Sequence, residues 1–175
     1  MLSLLLAAAL TVGSSAPSFL AKDVRGRDIE VPVTRRPVLL CFVGRSTADG
    51  LGKISGELVP RHPRLAVLNI IDLTSIPGLL QGVARSRVNA KHADAVKAAS
   101  DAWRAAGKTP PDNLDSEIHL VPDFDGKIPA LYGVHGAAKK CHLVLVDSAG
   151  RIAGDWEGTP DPADVEKALT AAIAP

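Results

Sequence analysis

Pro37–Gly56 reads PVLLCFVGRSTADGLGKISG, and the order of residue types in it decides the fold. Pro37–Val43 is almost unbroken apolar, which suits a strand covered on both faces rather than one with a wet side. Gly44 ends the run. Ser46, Thr47 and Asp49 follow, three side chains whose oxygens can accept the unpaired N–H groups of a helix's first turn. The stretch predicts a buried strand, an abrupt turn and a helix over Asp49–Val59. A helix N-terminus at the carboxyl end of a central strand is where open α/β sheets put their chemistry. Yet Gly44–Gly56 contains no Cys and no His, so the turn carries no nucleophile of either type.

Beyond this stretch the chain alternates strand and helix signals. His62-Pro63 breaks the helix, and Arg64–Leu73 is a second apolar run suited to a buried parallel strand. Strand, helix, strand at that spacing is a right-handed crossover. Thr74–Pro77 supplies the cap and first turn of another helix, with proline at an early position. Leu79–Gly107 is Ala-rich and mostly helical, with Leu80, Val83, Ala84, Val88, Ala95, Val96, Ala99 and Trp103 at helical spacing. Val88-Asn89-Ala90 is the expected join between two helices. After a Pro- and Asp-rich loop come a short strand, Ile118–Val121, the turn Pro122–Gly126, and a short helix over Ile128–Val134. Cys141–Val146 is the third strong apolar strand. Asp147–Gly150 turns it into a returning strand, Arg151–Glu157, and Asp161 caps a last helix, Pro162–Ala174. Ahead of the central strand, Val12–Val33 carries a hairpin signal with its turn at Asp23–Gly26.

Composition narrows the function classes. The chain has 175 residues, enough for one domain with a sizeable core, and 46% of them are apolar, which excludes a disordered chain. A formal net charge of +1 gives no reason to expect nucleic acid or an acidic membrane as a partner. Two cysteines are too few for a disulfide scaffold. Leu2–Val12 is apolar over the length of a signal-peptide core and too short for a stable membrane span. Small residues follow it at Ser14–Ala16, but no Lys or Arg precedes it. Residues 1–16 are therefore read as a signal peptide or N-terminal extension and 17–175 as a single domain. The expected location is periplasmic or secreted, with a cytoplasmic chain as the alternative.

The element order resembles the thioredoxin-like α/β fold, a central mixed sheet flanked by helices. Val12-Gly13, Ala16–Phe19, Asp23 and Gly26 look like the entry segment of peroxiredoxin (AhpC/TSA) and thiol-disulfide oxidoreductase domains. Asp123–Gly126, Tyr132–Val134 and Leu143–Asp147 with Gly150–Ile152 look like their later strands and hairpin. Gly44–Ala48, Asn69–Asp72, Ile76–Gly78 and Val146-Asp147 with Gly150-Arg151 resemble the YtfJ-type periplasmic family within that superfamily. Redox members hold a Cys-x-x-Cys pair or one peroxidatic Cys at the start of the first helix, where the helix dipole favours a thiolate. Here Thr47-Ala48-Asp49-Gly50 stands in that place. The resemblance also implies a cis-proline just before the third apolar strand, and counting back from Asp147 puts Cys141 there. Both departures argue against dithiol exchange.

The remaining candidates are few. Cys41, amid Leu39, Leu40 and Phe42, reads as a small core residue. Cys141 follows Lys139-Lys140 and precedes His142, cations that favour a thiolate if the site is open; a packing role is the leading reading, and a catalytic one the alternative that makes it the candidate catalytic residue. His119, His135, Cys141 and His142 match no tight zinc or copper spacing, and no metal or cofactor is expected. Arg45, Ser46, Thr47 and Asp49 form the candidate ligand site. Arg45 could bind an anion with the helix N-terminus or pair with Asp49 or Asp72. The reading that follows is a redox-inactive exported binding protein, its partner a protein or small anionic ligand. A thiol oxidoreductase or peroxidase using Cys141 is the alternative, and a metal-binding accessory protein the weaker one.

Overall fold

A computed structural model describes residues 10–33, 35–44, 46–47, 49–137 and 139–173. Most of the apolar run expected to be a signal-peptide core, and Arg45, lie outside the described residues. Five strands form one sheet in the order β5-β4-β3-β6-β7: β3 (Val38–Val43), β4 (Ala66–Asp72), β5 (Ile118–Asp123), β6 (His142–Val146) and β7 (Ile152–Glu157). β3, β4 and β5 run parallel, whereas β6 and β7 are antiparallel to their neighbours. The sheet is mixed, as expected from the sequence.

β3 is the middle strand, and every residue of it is buried. Alternation along the strand divides the core in two. Val38, Leu40 and Phe42 face a layer completed by Val144, Val146, Tyr132 and a separate hairpin, β1 (Phe19–Lys22) and β2 (Asp28–Val31). Leu39, Cys41 and Val43 face Ile54 and Leu58 of α1 (Asp49–Leu58) and Val165 and Leu169 of α5 (Pro162–Ile173). The hairpin turns at Asp23, as its sequence predicts, and Val24 N–H bonds to Leu120 O on the edge strand β5. Gly13 and Ile152 pair across the opposite edge, so residues 13–31 cross one face of the sheet from edge to edge.

The long helix departs from expectation. Thr74–Ile76 forms a turn, Gly78–Leu80 a single 3-10 turn, and α2 (Gln81–Ala105) then runs unbroken through Val88-Asn89-Ala90. That segment holds neither Gly nor Pro, and one Asn costs too little to stop a helix of this length. The apolar stripe also fails at its start: within α2 only His92 and Trp103 are buried, and Leu80 and Val83 stand in solvent. Two short helices complete the chain, α3 (Leu114–Glu117) and α4 (Lys127–Leu131). Asp161 caps α5 by accepting the N–H of Ala163 at 2.9 Å.

Candidate functional site

The carboxyl ends of β3, β4 and β5 lie along one edge, and the turn from β3 into α1 stands there. Thr47 organises that turn. Its Oγ1 accepts the N–H of Gly44 at 2.8 Å and can donate to the carbonyl of Gly44 or of Ala137, 3.3 and 3.2 Å away. The hydroxyl therefore shapes the loop and ties it to the connector before β6, as Ser and Thr side chains do in tight turns. Ser46 is exposed beside it, and Asp49 is the first residue of α1. Arg45 is outside the described residues.

Cys141 lies immediately before β6, the place the sequence count gave it, but its side chain is 4% exposed. It belongs to the core layer under α1 and α5, with Sγ 3.5 Å from Thr159 Oγ1. Cys41 is in the same layer, and burial, with a smaller contribution from Cys141, pushes its thiol up to about 12. Both cysteines are free. A thiol that resists ionisation to that degree is no nucleophile at neutral pH.

Next to the turn is a cleft of about 180 Å³ lined by Asp72, Thr74, Gly126, Pro129, His135 and Ala137 among others. Asp72 ends β4, and its Oδ1 accepts the N–H and the hydroxyl of Thr74, at 3.0 and 2.7 Å. Asp123 stands opposite Asp72 in the parallel register and is 3% exposed; its Oδ2 is buried with no hydrogen-bond partner among the described residues. Burial first, then the carboxylates of Asp125 and Asp72, push Asp123 up to about 6, against a smaller opposing effect of the Gly126 N–H. Lys127 holds Asp125 below the usual carboxylate range. The edge thus presents carboxyl groups, one of them titrating close to neutrality. The sequence reading had taken Pro122–Gly126 only as a turn; the two aspartates at the end of a strand were the signal for it.

The histidines do not converge. His119 Nδ1 meets Asp23 Oδ2 at 3.2 Å, His142 pairs with Asp155, and His135 lines the cleft. Among the described residues no three potential ligands gather around one point. The His119 contact belongs to a buried network that sequence reasoning missed. Asp23 accepts the N–H groups of Arg25 and Arg27, both at 2.9 Å, and the Arg27 Nε at 2.6 Å. Burial alone would raise Asp23, but these donors and His119 outweigh it and hold the carboxyl below its ordinary value. Arg27 also reaches the carbonyls of Asp115 and Ile118, and His92 that of Ile118. The network fastens the hairpin to β5 and α2. Asp23 and Arg27 are four residues apart, but His92, Asp115, Ile118 and His119 are far along the chain from them, so no local motif announces the whole network.

A strand-helix-strand half, a hairpin half and a helix N-terminus at the edge of the middle strand define a thioredoxin-like fold, and comparison with solved structures shows the same. A protein named as a thiol:disulfide interchange protein DsbE, from Chlorobium tepidum, superposes with a TM-score of 0.61 at 19% identity, covering 95% of this chain and 100% of its own. BsSco, of the Sco family of cytochrome c oxidase assembly proteins, superposes at 0.60 with 9% identity, over 92% and 94% of the two chains. A thioredoxin-like protein from Aeropyrum pernix does so at 0.56 with 16% identity, over 88% and 89%. No sequence-family model matches the chain, and no curated protein does.

Proposed function

We propose that this chain is a single-domain thioredoxin-fold protein without thiol catalysis, exported from the cytoplasm, that holds a segment of a partner protein at the carboxyl edge of its sheet. The observation that carries the reading is the location of its only two sulfhydryls. Both are in the core layer beneath α1 and α5, and the turn where redox relatives carry their cysteines holds Thr47 instead. The short motifs that resemble the YtfJ-type periplasmic family support export. The cleft favours a protein over a small free ligand: about 180 Å³ is below the roughly 300–1,000 Å³ that small-molecule sites occupy. Among the described residues its lining includes the Asp72 carboxylate and no Lys or Arg, which suits a peptide's N–H groups better than an anion.

One observation favours a thiol enzyme instead: Cys141 stands at this same edge, preceded by Lys139 and Lys140 and followed by His142. Alkylation of the native protein from pH 5 to 9, read residue by residue by mass spectrometry, separates the two. The expected result is that Cys41 and Cys141 stay unmodified until the protein unfolds. Fast modification of Cys141 with an apparent pKa well under the reference of about 8.5 would overturn the binding-protein reading.

A further inference from the structure

Among the described residues, three of the seven large apolar side chains left exposed stand within five residues of one another, at the tip where the 3-10 turn enters α2. Leu79 is 99% exposed, Leu80 52% and Val83 54%. At 100° per residue, Leu80, Val83, Arg87 and Lys91 fall within about 80° of one another on the outward face of the helix. Residues 73–93 contain Arg85, Arg87 and Lys91 and not one Asp or Glu. In the rest of the chain 17 Lys and Arg stand against 19 Asp and Glu, so the overall +1 conceals a local excess of positive charge.

We propose that this tip is a docking point for an anionic lipid surface. The lengths agree with that occupant. Arg87 lies four residues behind Val83, about 6 Å along the helix. Apolar side chains of an interfacial segment enter about 5–10 Å below the headgroups, so Arg87 comes level with the lipid phosphates when Leu79, Leu80 and Val83 are submerged. Long cationic side chains on the same stripe reach the headgroups from there. Shape points the same way, because a residue 99% exposed stands on a convex point. A soft surface accepts such a point without offering a matching pocket. Of the neighbouring carboxylates, Asp125 pairs with Lys127 and Asp94 with Lys91 at 3.0 Å, while Asp72, bonded to Thr74, lines the cleft; Arg85 and Arg87 are therefore the cations that face the lipid. Arg85 lies 5.5 Å from the Phe124 ring centroid and keeps its charge, and Arg87 has no carboxylate partner among the described residues. No helix of the described residues is long and apolar enough to cross a membrane.

Co-sedimentation of the full chain with vesicles of phosphatidylcholine, with and without a substantial fraction of phosphatidylglycerol, tests the proposal. Binding to the anionic vesicles is expected, weakening as salt rises. Leu79→Asp should lower it at least about tenfold by removing the apolar point. Arg87→Glu should lower it by about 30-fold, the effect of two units of charge at the surface. Both positions are exposed, so circular dichroism should be unchanged. Wild-type protein that stays in the supernatant overturns the proposal. Variants that bind as the wild type does also overturn it, because residues 1–12 would then suffice. If Leu79→Asp changes the sedimentation coefficient of the free protein instead, the tip joins two copies of the chain and the lipid reading falls.

Discussion

Asp123 is a single carboxyl whose surroundings can be weighed against its ionisation. Buried opposite Asp72 and beside Asp125, it titrates near 6 in the folded protein, against an unfolded value of about 3.9. The folded state therefore holds a proton that the unfolded state releases. Stability falls as pH rises between about 4 and 6 and carries the full cost above that window. Asp123→Asn keeps an acceptor for the Gly126 N–H and removes the charge. It should stabilise the protein by on the order of 1–2 kcal/mol at pH 8 and leave stability nearly unchanged at pH 4. Urea unfolding at the two pH values measures the difference. An equal effect at both would mean that Asp123 is ionised, or neutral, throughout. Within Pro122–Gly126 only Asp125 announces this behaviour; the burial, and the carboxylate of Asp72 some fifty residues earlier at the same height in the parallel register, do not show there.

Among the elements, β7 is built around a close approach. The Trp156 ring lies directly on the Cα of Gly154, leaving no room for a Cβ there. Gly154 is opposite Leu145 in the ladder, and the register shifts between Leu145 and Val146, so the strand cannot slide to relieve a clash without disturbing β6. Gly154→Ala should displace the indole and cost about 1–3 kcal/mol, as overpacking does elsewhere. Chemical denaturation gives the loss, and a red-shifted tryptophan emission would locate it. Gly154→Ala together with Trp156→Ala should recover part of the stability. The strands themselves were legible in the sequence because Pro37–Val43, Arg64–Leu73 and Cys141–Val146 are covered on both faces. Helix α2 was less so. Its apolar residues keep the helical period from Leu80 to Trp103, but period alone does not say where a neighbour is present to cover them, and no residue of the first three turns is buried.

At the scale of the whole molecule, long-range polar contacts hold the layers in place. Asp23, with a fully buried side chain, anchors the β1–β2 hairpin to β5 through Arg27 and His119. Asp23→Ala leaves the guanidinium and two backbone N–H groups without their acceptor. It should cost about 3–5 kcal/mol, the usual consequence of removing one partner of a buried pair. Limited proteolysis should then cut within residues 23–28 while the five-stranded sheet remains folded. Resistance equal to that of the wild type would show that the hairpin is held by its apolar face alone. The sequence showed the hairpin's turn but not its attachment, and it showed the site's turn but not the depth of Cys141. Lys139, Lys140 and His142 made that thiol look accessible. Its burial follows from α5, whose packing onto the same face is fixed only when the last twelve helical residues are in place.

The segment that crosses the sheet from Gly13 to Val31 also sets an order of events during synthesis. Its contacts at one edge are with Leu120 and at the other with Gly150 and Ile152. The first of these strands is made about a hundred residues after the segment, and the second about thirty residues later still. Phe19, Ile29 and Val31 therefore leave the ribosome long before the surface they cover exists. Until those strands emerge, Phe19, Ile29 and Val31 lack part of the surface they pack on and are available to chaperones.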